Sequence, residues 1–191
     1  MFEAFLTSTA VVAFAEIGDK TMLLALVLAA RLRQPGAILA GILFATLANH
    51  ALAALVGQQA TGLLDSHGFR LAVALGFIAM GLWTLVPDKL DDDELTIRKR
   101  GGAFLTTLVA FFFVEMGDKT QIATVALGAQ YRDVLVVTAG TTLGMMLANA
   151  PAVLLGDRLL QRISLKLTRS IAAGLFMALG GWELSKLMLA G

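Results

Sequence analysis

The sequence predicts an all-α membrane protein with six transmembrane helices arranged as two inverted three-helix repeats. Three observations lead there. The 191 residues are 58% hydrophobic and 15% charged, with a mean hydropathy of +0.80, whereas a soluble domain carries roughly 25% charged residues. The apolar residues come in six long runs, the pattern of bilayer-crossing helices rather than of a soluble core. Three short stretches also recur, in the same order, about a hundred residues further on.

Taken in order, the first run covers residues 4–30. The segment before it has an acid, Glu3, and no basic residue, which argues against a cleaved signal peptide and keeps the run as the first span. The turn "RLRQP" leads to the second run, 36–57, and a His/Gly/Asp turn at 64–68 leads to the third, 69–86. The linker "PDKLDDDELTIRKRGG" at 87–102 is too polar to span and divides the chain almost in half. After it come runs at 103–129, 134–156 and 170–189, separated by "YRD" and by a basic stretch at 157–169. Each run meets or nearly meets the ~20 residues needed to cross a hydrocarbon core of ~30 Å. The predicted organisation is a first repeat at 1–87, a linker at 88–102 and a second repeat at 103–191.

The repeats rest on named residues. "EIGDKT" at 16–21 returns as "EMGDKT" at 115–120, a spacing of 99. "LAN" at 47–49 returns at 147–149, and Gly81 and Trp83 return as Gly180 and Trp182. Orientation follows from the basic residues. Loops one, three and five carry ten Lys and Arg, while the opposite side carries three, Arg70, Arg132 and Lys186. The richer side faces the cytoplasm, so both termini are expected outside, with the protein integral to a bacterial inner membrane. Three spans per repeat make the second half enter from the opposite face. That architecture recurs in secondary transporters, whose sites lie near the midplane where the repeats meet.

The duplicated hexapeptide is the chemical signal. A charge in the bilayer core costs at least ~2.5–3.5 kcal/mol on insertion scales, and each copy places three charged groups within five residues. In an unbroken helix, Glu16 and Asp19 share a face, as do Glu115 and Asp118. Gly18 and Gly117 permit either close helix approach or a local break, and the first and fourth runs are long enough for tilt or unwinding. Four acids against Lys20 and Lys119 as internal counter-ions leave two negative charges, which one divalent cation or two protons would balance. Carboxylates, with Thr21, Thr120, Asn49 and Asn149 as auxiliary groups, are hard oxygen ligands suited to Ca²⁺, Mn²⁺ or Mg²⁺ rather than Cu⁺. Protons and metal compete for the same oxygens. A structural ion pair would account for one copy; two copies in opposite halves favour a shared site.

These residues resemble the duplicated Glu-x-Gly-Asp-Lys/Arg-Thr/Ser signature of the Gdt-type cation/proton antiporters, which include bacterial manganese exporters and calcium/manganese transporters of the Golgi and chloroplast. The resemblance covers essentially the whole chain. It implies that Glu16, Asp19, Glu115 and Asp118 bind the cation and exchange protons, and that Mn²⁺, with Ca²⁺ as the alternative, is exported from the cytoplasm. Met22 stands opposite Gln121, so a ligand at that position would come from one half only.

Other classes fit less well. No cysteine is present, which removes disulfides, thiolate metal sites and cysteine nucleophiles. A net charge of +1 leaves no nucleic-acid footprint. There is no His-Glu-x-x-His motif, and His50 and His67 are too far apart to form one, so an enzyme is not expected and neither is a cofactor. The expected partners are the lipid bilayer, a divalent cation and protons. A small-organic-solute exporter of the amino-acid type and a cation channel remain as alternatives, and assembly into a homo-oligomer stays open. His50 reads as a packing residue, Glu183 and Lys186 as an interfacial pair beside Trp182, and Asp91–Glu94 as solvated linker.

Overall fold

The computed structural model describes residues 1–63, 67–86, 101–156 and 164–189. Among them the chain is entirely helical: α1 (Phe2–Glu16), α2 (Lys20–Leu32), α3 (Pro35–Leu63), α4 (His67–Thr84), α5 (Ala103–Val114), α6 (Lys119–Tyr131), α7 (Val134–Leu155) and α8 (Leu165–Leu189). Most of the central linker, with Asp91–Glu94, and the basic residues Lys89, Arg98, Lys99, Arg100, Arg158 and Arg162 lie outside the described residues.

Among the described residues the six apolar runs give eight helices, because the first and fourth are each cut at the hexapeptide. Gly18 has φ +86° and Gly117 has φ +78°. An α-helix cannot pass through that left-handed region, which a residue with a Cβ enters only at a cost. The next residue in each copy, Asp19 (φ −82°, ψ 170°) or Asp118 (φ −73°, ψ 165°), is extended and forms the N-cap of the following helix. Of the two options left by the glycines, the chain takes the break. Glu16 therefore closes one helix and Asp19 precedes another, so the i, i+3 face of an unbroken helix does not form.

The pieces α1, α2, α5 and α6 are 12 to 15 residues long, shorter than a full crossing. Among the described residues, three helices are long and apolar enough to cross a membrane: α3 over Pro35–Ala60, α4 and α7. α8 has 25 residues and carries Lys166, Arg169, Glu183 and Lys186. Large apolar side chains remain on the outside of the bundle, among them Phe44, Leu52 and Val56 of α3 and Leu143, Leu147 and Leu154 of α7. A wall facing lipid has this character.

Inside, α1 lies along α7, α5 and α6 lie along α3, and α4 pairs with α8. One apolar cluster joins Leu24 and Leu28 of α2 to Ile38 and Ile42 of α3, Phe111 of α5 and Met145 of α7. A second joins Val11 of α1 to Phe77 of α4, Leu127 of α6 and Phe176 of α8. The breaks fall where one cluster gives way to the other. The α4–α8 contact is reciprocal: Gly81 faces Ala173 and Met177, while Gly180 faces Ala74 and Ile78. Each pair is related by the spacing of 99, as are Phe77 and Phe176, whose rings stack at 6.5 Å. Such exchange of equivalent contacts is the property of a two-fold axis.

Candidate cation site

The two breaks bring their acids into the interior. Glu16 at the end of α1 is fully buried, and Asp19, Glu115 and Asp118 are nearly so. One carboxylate oxygen from each of Glu16, Asp19 and Asp118 lies within 4.8 Å of the other two. The Thr21 hydroxyl, from the first turn of α2, donates to Glu16 Oε2, and Thr120 and Asn149 also stand beside this carboxylate. Three buried oxygens here, Glu16 Oε1, Thr120 Oγ1 and Asn149 Oδ1, make no hydrogen bond among the described residues.

Glu115 adjoins the group without joining it. The charges of Glu16 and Asp118 bear on it, but its own oxygens are held by α3. Thr46 Oγ1 donates to Oε1 at 3.3 Å, and Asn49 Nδ2 approaches Oε2 at 3.4 Å. Asn49 Nδ2 also donates to the Phe112 carbonyl at 2.9 Å, fixing α3 to the end of α5. The structure thus gathers three of the four motif acids and sets the fourth alongside. Carboxylates this close and this buried need positive charge among them, whether from a cation, protons or both. The N-terminal ends of α2 and α6 supply part of it through the helix dipole, and Asp118 Oδ1 accepts from Lys119 N at 2.6 Å.

The auxiliary residues divide. Asn149 Nδ2 donates within its own helix to the Met145 carbonyl. Gln121 Oε1 accepts from Gly117 N at 2.7 Å, so it braces the second break; its counterpart Met22 is buried in the apolar core. Lys119 is buried, yet its ammonium reaches the end of α4, donating to the Val86 carbonyl at 3.2 Å and lying 5.6 Å from the Trp83 ring centre. Lys20 is half-buried at the start of α2. His50 is fully buried, and neither ring nitrogen has a hydrogen-bond partner among the described residues. Lys186 pairs with Glu183 at 2.9 Å and lies over Trp182. Asp19 and Lys119 line a narrow crevice with Gly18, Thr84, Val86 and Arg169, which leads from the site to the end of α4 and the start of α8.

Sequence reasoning missed Thr46 and Trp83. Thr46 has Met146 as its counterpart at the spacing that relates Asn49 to Asn149, so a search by repetition passed over it. Its place three residues before Asn49, on the same helix face, was the available signal.

Membrane-length apolar helices, with two runs broken around buried carboxylates, define a membrane transporter. Comparison with known proteins agrees. The family model described as divalent cation/proton antiporter GDT1 matches residues 4–92 and 103–189, and the chain belongs to that family. It is 51% identical to a Vibrio cholerae protein named "Putative manganese exporter", over 89% of this chain and 84% of that one. It is 33% identical to a GDT1-like protein of Synechocystis, over 92% and 94% of the two chains. It is 30% identical to GDT1-like protein 5 of Arabidopsis thaliana, over 94% of each. No solved structure matches the chain.

Proposed function

We propose that this protein exports a divalent cation from the cytoplasm in exchange for protons, with Mn²⁺ as the first substrate and Ca²⁺ as the second. The observation that carries the proposal is the convergence of Glu16, Asp19 and Asp118 within 4.8 Å. Three carboxylate oxygens, with Glu115, Thr21, Thr120 and Asn149 at hand, form a hard-ligand set fit for such a cation. The same oxygens take up protons when the cation leaves, so one site serves both substrates in turn. The Vibrio cholerae relative's name favours Mn²⁺.

In this reading the chain has two three-helix repeats of opposite orientation, each broken run counting as one span, with both termini outside. The reciprocal α4–α8 contacts support it, and so does the ten-to-three asymmetry of basic residues. One motif offers two carboxylates, whereas a cation such as Ca²⁺ takes six or more oxygens. Two motifs meeting from opposite faces bring four, and a site between them can be opened to either side.

The test is exchange in reconstituted vesicles carrying a luminal pH indicator. An imposed proton gradient should drive Mn²⁺ against its own gradient, and a protonophore should abolish that movement. Mn²⁺ running only downhill, with no proton counter-flow, would make the protein a channel or uniporter and overturn the proposal.

A further inference from the structure

One side of the bundle holds buried polar groups that the acidic site does not use. On α7, Thr138, Thr142, Met145 and Asn149 follow one another at i, i+4, i+7 and i+11, one face of a helix, and all four are buried. Asn149 stands beside Glu16. Thr138 Oγ1 and Thr142 Oγ1 have no hydrogen-bond partner among the described residues. A buried threonine ordinarily settles on the carbonyl one turn back, as Thr141 does on Val137 and Thr124 on Thr120; these two do not. On α3, His50 comes directly after Asn49, which approaches Glu115, and both of its ring nitrogens are likewise without a partner. α7 packs against both α3 and α6. The second apolar cluster joins Ala54, one turn beyond His50, to Val137, beside Thr138, so these stretches of α3 and α7 wall one interior.

The equivalent positions in the other half are apolar. The spacing of 99 that turns Gly41 into Gly140 turns Leu39 into Thr138 and Leu43 into Thr142. The spacing of 100 that relates Asn49 to Asn149 puts Ala150 in the place of His50. Ser8 and Thr107 also carry hydroxyls without a partner among the described residues. They are related by 99 and sit against Gly140 and Gly41 respectively, one in each half, so they do not distinguish the halves. In the orientation proposed above, Thr138, Thr142 and His50 lie between the acids and the outer face, while Leu24, Leu28, Ile38, Ile42 and Phe111 fill the cytoplasmic half. A hydroxyl left dry costs more than an aliphatic side chain of the same shape. Three such groups on one side only call for a partner, and water is the small molecule that both gives and takes hydrogen bonds at a hydroxyl and at an imidazole.

We infer that Thr138, Thr142 and His50 hold a file of water in the outer half of the bundle, the route by which protons reach Asn149 and Glu16 from the outer side. This rests on the exchange reaction and the orientation proposed above. From Thr138 to Asn149 is roughly 16 Å of helix, half of a ~30 Å hydrocarbon core, and the two hydroxyls and the ring divide it into steps that water can bridge. A hydroxyl accepts from one water and donates to the next, and an imidazole does the same with its two nitrogens. A proton therefore passes along the file while each side chain returns to its starting state. Hydroxyls and a ring offer a divalent cation no negative charge to replace its hydration shell, so the face that passes protons is a poor path for Mn²⁺.

Met145 reports on the file. It lies between Thr142 and Asn149, and its Sδ is 2.8 Å from Asn149 Nδ2. Met22 is equally buried, in the apolar cluster of the cytoplasmic half. X-ray radiolysis of the protein in detergent makes hydroxyl radicals from water where it is bound, and these convert methionine to its sulfoxide, read by mass spectrometry. Met145 should be oxidised several-fold faster than Met22. Thr142→Val, which keeps the shape and drops the hydroxyl, should bring Met145 down to the Met22 rate, whereas Thr142→Ser should hold it near the unsubstituted rate. Thr138→Val should act as Thr142→Val does, and it serves if that variant does not fold. In vesicles, Thr142→Val should slow Mn²⁺/proton exchange several-fold with Mn²⁺ affinity unchanged. Met145 as slow as Met22, a Met145 rate indifferent to the valine variants, or exchange at full rate once the file is lost would each overturn the proton route. Radiolysis requires no transport, so a failure here is distinct from a failure of Mn²⁺/proton exchange.

Discussion

The two hexapeptides differ by one residue, Ile17 against Met116, and the structure uses them differently. Both break a helix at glycine and restart it at aspartate. In the first copy Glu16 is turned into the acidic group by Thr21 of its own motif. In the second, Glu115 is claimed by Thr46 and Asn49 of α3, and Gln121 braces the glycine. The backbone is set by the local sequence; the direction of each carboxylate is set by the helix packed against it. A second contrast lies one helix further on. Gly128 of α6 sits so close to α3 that a Cβ there would be 2.5 Å from the Ala54 carbonyl oxygen. Its equivalent in α2 is Ala29, and α2 meets its own neighbour α7 more sparingly than α6 meets α3.

The two glutamates are therefore not equal. Glu16→Gln removes one of the three clustered carboxylates, and with it a hard oxygen ligand and a proton acceptor, and should reduce Mn²⁺/proton exchange by about two orders of magnitude or more. Glu115→Gln removes a group beside the cluster and should cost about 10–100-fold, as supporting partners of ligands do. Initial rates in vesicles decide it, and a Glu115 variant as damaged as the Glu16 variant would erase the distinction.

The close α6–α3 contact should show in stability. Gly128→Ala forces backbone apart and should cost about 1–3 kcal/mol. Gly117→Ala meets nothing within 4 Å, so its cost is the left-handed backbone alone, about 1–2 kcal/mol. Thermal unfolding in detergent should rank Gly128→Ala at or below Gly117→Ala, and a neutral Gly128→Ala would show that α6 can move away from α3 freely.

The smallest effect belongs to Gln121→Met, which gives the second break the residue of the first. Loss of the bond to Gly117 N should cost about 0.5–1.5 kcal/mol, visible as a lower unfolding temperature with exchange largely retained. A collapse of exchange would instead place Gln121 on the cation.

Much of this molecule was legible in its sequence. Six apolar runs, a polar linker and a twice-written acidic motif follow from composition and spacing, because bilayer length and the cost of buried charge act on sequence directly. Gly18 and Gly117 marked where a helix could break, but a glycine permits φ > 0 without requiring it. Whether the helix breaks depends on packing on both sides, and only the folded chain decides that. Nor could spacing tell that Glu115 would stand apart, since the groups that hold it, Thr46 and Asn49, lie 69 and 66 residues away and Thr46 has no duplicate. Repetition in sequence carries the two helix breaks and the reciprocal α4–α8 contacts; the departures from it, in Glu115 and Lys119, arise from contacts between distant helices, which no local pattern encodes.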